Sequence, residues 1–328
     1  MVKFLVIRFS SIGEIVLTTP VIRCMKEQIE DVEIHYLTKT KYKSILIANP
    51  YIDKLHLLDK NIKSLIDTLK KEKFDYIIDL HKNLRSFRIK SSLKRFSFSF
   101  NKLNYQKWLL VNFKINKLPN VHIVDRYLKT LEVFSVSNDH KGLDYFIPPE
   151  EITELSASIS EFPRSYIVLV VGGGHYTKQI PVHKIQEIIN SLDCPIMLLG
   201  GPEDVAKANQ LKISEKKKIY NLVGKLSVNQ SAEVIRNSSL VVSVDTGLMH
   251  IAAAFNKKIV SVWGNTVPEF GMYPYNSGEN SNIFEVKGLK CRPCSKIGFK
   301  KCPKKHFNCM ILQDYQAIIK TIDSSVKN

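Results

Sequence analysis

The segment from Leu240 to Ala254 joins an apolar run to a helix-forming run through Asp245, Thr246 and Gly247. In a parallel sheet such a junction lies at the carboxyl end of a strand, where α/β proteins bind their ligands. The free N–H groups and the dipole of a helix N-terminus suit a phosphate, whereas Asp245 would repel phosphate and is better suited to hydroxyl groups. Together these residues suggest a sugar attached to a nucleotide as the ligand. From this segment alone, however, a simple helix cap formed by Asp245 and Thr246 is the favoured interpretation.

A glycine-rich segment follows another apolar run. Gly172, Gly173 and Gly174 let backbone N–H groups approach a ligand, and Lys178 places a positive charge just before a helix that Pro181 can open. A lysine beside such a loop suits a diphosphate. The spacing is not that of a P-loop, which argues against an NTPase.

The first predicted strand leads into a helix through Phe9-Ser10-Ser11-Ile12-Gly13-Glu14. A carboxylate in the first helical turn is stabilised by the helix dipole and stays ionised, as a proton acceptor must be before reaction. Glu14 is therefore a candidate general base, and an acid that merely starts a helix is the alternative. The segment lacks the G-x-G-x-x-G pattern, which argues against a dehydrogenase.

The elements that must position these residues alternate between strand-like and helix-like segments along both halves of the chain. This rhythm predicts an α/β protein with parallel sheets covered on both faces. A break at Phe146–Ile152, followed by a polar helix-like stretch up to Phe162, predicts two Rossmann-like domains, 1–155 and 156–328. The cleft between the domains would then be the natural active site. A final helix is predicted at about Gln313–Ser324, with the option of packing back on the first domain.

Charge is unevenly distributed along the 328 residues, whose formal net charge is +17. The 45 residues 80–124 contain no Asp or Glu and hold ten Lys or Arg residues interleaved with aromatic ones. This pattern favours an anionic partner such as a membrane surface or an acidic lipid acceptor, with a solvated basic face as the alternative. No nucleic-acid-binding motif accompanies the charge, so no specific nucleic acid is expected. The absence of a long apolar run and of a signal-peptide pattern predicts a cytoplasmic protein.

In their order, these segments resemble the heptosyltransferases of glycosyltransferase family nine, which have the GT-B fold. The resemblance is carried by Ser10-Ser-Ile-Gly-Glu14 with Pro20, the glycine loop with Lys178 and Pro181, Leu199-Gly-Gly-Pro, Asp245-Thr-Gly-Leu-Met-His250, Trp263-Gly-Asn-Thr-Val-Pro268 and Asp79-Leu-His-Lys-Asn-Leu-Arg-Ser86. It implies an acceptor-binding first domain and a donor-binding second domain.

The resemblance also implies a reaction and roles for individual residues. The reaction would be inverting transfer of heptose from ADP-heptose to the lipopolysaccharide inner core or Kdo-lipid A, without a cofactor, at the cytoplasmic face of the inner membrane. Glu14, where the family usually has Asp, would be the general base. Donor binding is assigned to Gly173, Gly174, Thr177, Lys178, Asp245, Thr246, Gly247 and His250. Acceptor binding is assigned to Ser10, Ser11, Gly13, His81, Lys82, Arg85 and Arg88. A related glycosyltransferase with another nucleotide-sugar donor, or a non-catalytic binding protein of this fold, are the alternatives.

Four of the six cysteines lie close together in the sequence, at Cys291, Cys294, Cys302 and Cys309, with His306 between the last two. Their spacing is shorter than in common zinc modules. A loop of reduced thiols without a metal is the favoured interpretation; structural zinc and a disulfide are the alternatives.

Overall fold

A computed structural model describes residues 1–158, 163–214, 217–276 and 281–327. The chain forms two compact units. The first comprises Met1–Lys102 and Val121–Pro148, and the second comprises Leu103–Asn120 together with the chain from Pro149 onward. The first unit is thus interrupted by a short segment that belongs to the second.

The first unit contains a five-stranded parallel sheet. Its strands are β1 (Val2–Ile7), β2 (Val32–Lys39), β3 (Lys54–Leu58), β4 (Tyr76–Asp79) and β5 (Phe96–Ser99). Their spatial order is β3-β2-β1-β4-β5. The order reverses between β1 and β4, and such a switch point opens a crevice at the carboxyl ends of the two strands.

The second unit contains a six-stranded parallel sheet. Its strands are β6 (Ile167–Val170), β7 (Ile196–Leu199), β8 (Ile219–Asn221), β9 (Leu240–Val244), β10 (Lys258–Trp263) and β11 (Ser281–Glu285). Their order is β11-β10-β9-β6-β7-β8, so the switch point lies between β6 and β9. The apolar runs in β6, β7 and β9 are completely buried, as expected for central strands covered on both faces.

Helices connect the strands in both units. In the first unit they are α1 (Ile12–Val16), α2 (Thr19–Gln28), α3 (Ile62–Lys71), α4 (Leu84–Leu93) and α6 (Ile123–Leu128). In the second unit they are α5 (Asn104–Phe113), α7 (Pro149–Ser158), α8 (Val182–Ser191), α9 (Val205–Ala208), α10 (Val228–Arg236), α11 (Gly247–Ala254), α12 (Asn308–Ile311) and α13 (Tyr315–Lys327). The part of the polar stretch after α7, up to Phe162, lies outside the described residues.

The region after β1 differs from the single kinked helix that the sequence predicts over Gly13–Glu27. Helix α1 stops after one turn and α2 begins at Thr19, with Pro20 in its first turn. Proline is tolerated at this position because no intrahelical partner is lost there. The helix is therefore interrupted before Pro20, and α1 is a separate short helix that carries Glu14.

The core of the second unit includes its last helix. Ile318 and Ile322 of α13 are completely buried in the same apolar cluster as Val242 and Val260 of the sheet. Helix α13 thus packs on the sheet of its own unit. None of the described helices is long and apolar enough to cross a membrane.

Candidate functional site

The loops that carry the predicted donor residues follow the two strands at the switch point of the second sheet. The glycine loop and Lys178 follow β6, and Asp245, Thr246 and Gly247 follow β9. Strands β6 and β9 are hydrogen-bonded neighbours, with Leu169 paired to Val242. This pairing brings together two segments that lie about seventy residues apart in the sequence.

Lys178 and Asp245 form an ion pair at this edge. The Lys178 Nζ lies 2.7 Å from Asp245 Oδ2, and the Thr266 hydroxyl donates to the same oxygen at 2.9 Å. Burial opposes ionisation of Asp245, but the Lys178 charge and these hydrogen bonds outweigh it and lower the pKa of the carboxyl. Both side chains are more than four-fifths buried. The site therefore holds a fixed positive and a fixed negative charge side by side.

The helix that follows Asp245 begins without a capping hydrogen bond from its N-cap side chain. Thr246 occupies the N-cap position of α11 with an extended backbone, but its hydroxyl makes no capping hydrogen bond. Gly247 is the first helical residue, and His250, one turn later, is buried. The first N–H groups of a helix need partners from outside the helix, and here Thr246 does not supply one.

The glycine loop has room for a side-chain Cβ atom at Gly174 but is tightly packed at Gly173. A Cβ on Gly174 would meet no atom within 4 Å, whereas a Cβ on Gly173 would lie 3.2 Å from a Val244 methyl group. Thr177 is buried, and its hydroxyl accepts a hydrogen bond from the Phe299 N–H at 2.8 Å. The Thr177 hydroxyl thus hydrogen-bonds to the protein backbone, whereas the loop surface at Gly174 is open to solvent.

Glu14 lies in a second cluster, at the switch point of the first sheet. It occupies the third position of α1, where its carboxylate accepts the Ser11 N–H at 3.0 Å and pairs with the buried Arg8 guanidinium. Burial works against ionisation, but the Arg8 charge and the hydrogen bonds from Arg8 and Ser11 prevail, so the pKa of Glu14 is below its ordinary value. About one third of the side chain is exposed. Glu14 is thus an ionised carboxylate within reach of solvent.

Arg8 is a residue that sequence reasoning missed. Its guanidinium donates to the carbonyls of Ser10 and Leu80 and to the Tyr127 hydroxyl, besides pairing with Glu14. The available signal was a charged residue directly after the apolar run Phe4–Ile7. Arg8 fixes the loop after β1 to the loop after β4, so Glu14 is held on a rigid frame.

His81 lies near Glu14 in the loop after β4. Burial and the nearby Arg8 charge lower the pKa of His81 to about 4, so its imidazole is neutral at pH 7. The Nδ1 atom is buried and has no hydrogen-bond partner among the described residues. Gly13 is buried in α1, while Ser10 and Ser11 line the loop before it. A neutral imidazole beside an ionised carboxylate can bind a hydroxyl group.

Arg85 and Arg88 lie on α4 and line a separate cavity of about 770 Å³ in the first unit. The same cavity is lined by Lys39, Lys41 and Lys60, and Asp59 is the one acid among its described lining residues. Lys82, in contrast, turns to the Phe100 carbonyl at 3.2 Å. Sequence reasoning missed the three cavity lysines because they lie at the end of β2 and after β2 and β3, outside the basic segment. The cavity suits an anionic ligand.

The four clustered cysteines are free thiols that line one small cavity of about 20 Å³ with His306. The Cys291 Sγ lies 3.9 Å from His306 Nε2. Burial raises the pKa of Cys309 to about 12, which disfavours its thiolate. The absence of a metal from this loop stays a prediction.

Metal-ligating atoms come closest together elsewhere in the described part of the chain, at His35, His56 and Glu72. The His35 Nδ1 is 2.9 Å from His56 Nε2, and the other His35 nitrogen is 2.5 Å from a Glu33 oxygen. Glu72 accepts from Lys54 at 2.6 Å. The histidine nitrogens thus already hydrogen-bond within this cluster, and lysines neutralise the charge of the carboxylates.

Two compact units, each built on a parallel sheet covered by helices, are the architecture of the GT-B fold. The family model for "Glycosyltransferase family 9 (heptosyltransferase)" matches residues 62–305, well over half of the chain. The chain belongs to this family and is a glycosyltransferase.

Relatives and solved structures agree with this assignment. Lipopolysaccharide heptosyltransferase 1 of Campylobacter coli is 25% identical over 294 residues, covering 80% of this chain and 84% of the relative. A glycosyltransferase family 9 structure from Veillonella parvula has a TM-score of 0.77 at 20% identity, covering 99% of this chain and 97% of that one. The structure of the E. coli ADP-heptose lps heptosyltransferase II has a TM-score of 0.76 at 17% identity, covering 99% and 98%. The two structures show the fold.

Proposed function

We propose that this glycosyltransferase transfers heptose from ADP-heptose to an acidic sugar of the lipopolysaccharide inner core or of Kdo-lipid A. The observation that carries the proposal is the pairing of Lys178 with Asp245 at the second switch point. A cation for a diphosphate lies directly beside a carboxylate for sugar hydroxyls. The names of the relatives, lipopolysaccharide heptosyltransferases, support heptose as the sugar.

In the proposed reaction, the acceptor hydroxyl oxygen attacks the anomeric carbon of the donor. A C–O bond forms on one face while the bond from the anomeric carbon to the diphosphate oxygen breaks on the other, which inverts the configuration. The hydroxyl proton passes to the Glu14 carboxylate, and ADP leaves with the electron pair.

The second unit would stabilise the leaving group. Lys178 and the first N–H groups of α11 supply fixed positive charge where negative charge develops on the diphosphate. The Thr246 hydroxyl, which makes no capping bond, is available as a further donor. Asp245 would accept from the heptose hydroxyls, and Gly173 and Gly174 would let the backbone approach the phosphates. These groups neutralise the leaving diphosphate, and no metal or other cofactor is part of this proposal.

The first unit would bind the acceptor. The neutral His81 imidazole and the Ser10–Gly13 loop surround Glu14, and the basic cavity at Arg85 and Arg88 would bind the carboxylates or phosphates of an acidic saccharide. Such an acceptor is part of a lipid, so the enzyme would work at the cytoplasmic face of the inner membrane.

A screen of donors against acceptors, with mass detection of products, tests this proposal. ADP release from ADP-heptose together with a heptosylated acceptor is the expected result. Release from a different nucleotide sugar would make the protein a related glycosyltransferase. Donor binding without release, in the presence of a competent acceptor, would make it a non-catalytic binding protein.

A further inference from the structure

Helix α5 presents an unusual surface in the second unit. Tyr105, Trp108, Phe113 and the following Ile115 are all exposed, with exposed fractions from 46% for Trp108 to 67% for Tyr105. The Trp108 ring contacts both Tyr105 and Phe113, with ring centroids 6.3 and 5.1 Å apart. Water thus contacts a contiguous aromatic surface, which soluble proteins seldom leave without a partner.

The opposite side of α5 is fixed to the second unit. Leu110 is buried against Val267 and Phe270, and the Lys107 ammonium lies 5.6 Å from the centre of the Phe270 ring. The helix is therefore held in place by one edge, and its aromatic residues lie outside that contact.

A segment far from α5 in the sequence lies beside it in the folded protein. Residues 286–313 contain eight Lys or Arg residues and no Asp or Glu. Lys114 donates to the Pro293 carbonyl at 2.7 Å, and Lys296 is 3.4 Å from the Asn104 carbonyl. Ile297 and Phe299 are exposed on this segment, as are the side chains of Lys300 and Lys301. The fold thus joins two acid-free stretches into one surface.

We propose that this surface, formed by the exposed side chains of residues 104–117 and 296–301 and here called the aromatic-basic face, docks the protein on an anionic lipid bilayer. Trp and Tyr partition into the headgroup region, Phe and Ile reach the acyl boundary, and the lysines contact anionic headgroups. The exposed Ile115 and Ile297 favour a bilayer over a nucleic acid, because aliphatic side chains gain nothing from phosphates or from base stacking. The inference rests on the proposed function only in that the acceptor is a lipid.

A vesicle-binding experiment tests whether the aromatic-basic face contacts a bilayer. It needs neither donor nor acceptor, so its outcome is independent of the proposed reaction. The full chain is mixed with vesicles of phosphatidylethanolamine and phosphatidylglycerol, or of phosphatidylcholine alone, and sedimented. We expect binding to the anionic vesicles that weakens as salt is raised. Trp108 reports contact directly, because the other tryptophan, Trp263, is buried. Its emission should shift to the blue with anionic vesicles and be quenched by brominated lipid.

Variants locate the contact. Trp108→Ala with Phe113→Ala should lower the partition coefficient by roughly tenfold or more, because two interfacial aromatic side chains are lost. Lys300→Glu with Lys301→Glu should also weaken binding. The matched control, Lys212→Glu with Lys320→Glu, makes the same charge change at other exposed lysines of the second unit and should bind more tightly than the Lys300/Lys301 variant. Thermal unfolding midpoints confirm that each variant is folded.

Three outcomes would overturn the proposal. The first is no binding of the folded protein to anionic vesicles. The second is binding that the aromatic variant leaves unchanged. The third is tighter binding to duplex DNA or RNA than to vesicles at equal salt, which would assign the face to a nucleic acid.

Discussion

Lys178 and Asp245 form an ion pair across two neighbouring strand ends, with 2.7 Å between Nζ and Oδ2. A diphosphate that binds Lys178 has to compete with this carboxylate or share the ammonium with it. In the proposed donor complex, Lys178 would contact the diphosphate and Asp245 would accept from the sugar hydroxyls.

Removing the cation should weaken donor binding. In Lys178→Met a charge-assisted hydrogen bond of about 1.5–3 kcal/mol is lost, which corresponds to a roughly 10- to 100-fold higher KM or Kd for the donor. Isothermal titration with the donor nucleotide measures this. The single variant also leaves Asp245 buried without its cation, so it should unfold at a lower temperature.

Adding Asp245→Asn to Lys178→Met separates these two effects. The double variant should recover stability, because no unpaired buried charge remains, but it should not recover donor affinity. Donor affinity unchanged in both variants would remove Lys178 from the binding site.

Gly174→Ala probes how closely the donor approaches the loop. A methyl group there meets no protein atom within 4 Å, so the unfolding midpoint should stay the same. If a phosphate lies against the Gly174 backbone, the donor KM should rise by about tenfold, equivalent to about 1.4 kcal/mol. Steady-state kinetics measure the effect, and an unchanged KM would show that the donor does not contact Gly174.

The acid–base behaviour of Glu14 follows from its contact with Arg8. Because the pKa of the carboxyl is lowered in the folded protein, Glu14 contributes stability above its unfolded pKa and loses it as the pH falls through the folded value. The reactive form is the carboxylate, so kcat/KM should fall only below the ordinary pKa of 4.5.

A pH titration of the side-chain carboxyl NMR signals in the wild-type protein measures this pKa directly. The signal that disappears in the Glu14→Gln spectrum is the one that belongs to Glu14. A Glu14 midpoint at or above 4.5 would contradict the role given to Arg8. The variant Arg8→Met removes the opposing charge and should move the midpoint to higher pH.

Most of the fold was predictable from the sequence, because buried parallel strands are continuous apolar runs. The apolar runs Ile196–Leu199 and Leu240–Val244 each predict a strand, and the structure has strands with the same bounds. Strand β5 was not predicted, because Phe96–Ser99 is only four residues long and lies within a segment rich in Lys and Arg. Helix α5 was missed for a different reason: it is held by packing against Val267 and Phe270, which no local pattern encodes.

The candidate site was predictable in its residue types but not in its contacts. The strand-end motifs indicated Lys178 and Asp245, yet their pairing depends on the order of β6 and β9 in the sheet. Arg8 and Thr266 act through contacts between distant segments, so their partners cannot be read from spacing. Whether the predicted residues bind donor and acceptor is for the variants above to test.

In the proposed reaction, this protein transfers heptose with Glu14 as the base. To test this, wild-type protein and Glu14→Gln are each incubated with ADP-heptose and, in parallel reactions, with Kdo-lipid A or a lipopolysaccharide inner-core acceptor, and ADP and heptosylated product are quantified by mass spectrometry. We expect equal amounts of both products from the wild type, a roughly 10²- to 10⁴-fold slower reaction in the variant, and the same donor affinity in both. Turnover in Glu14→Gln close to that of the wild type, or no transfer by the wild type, would contradict it.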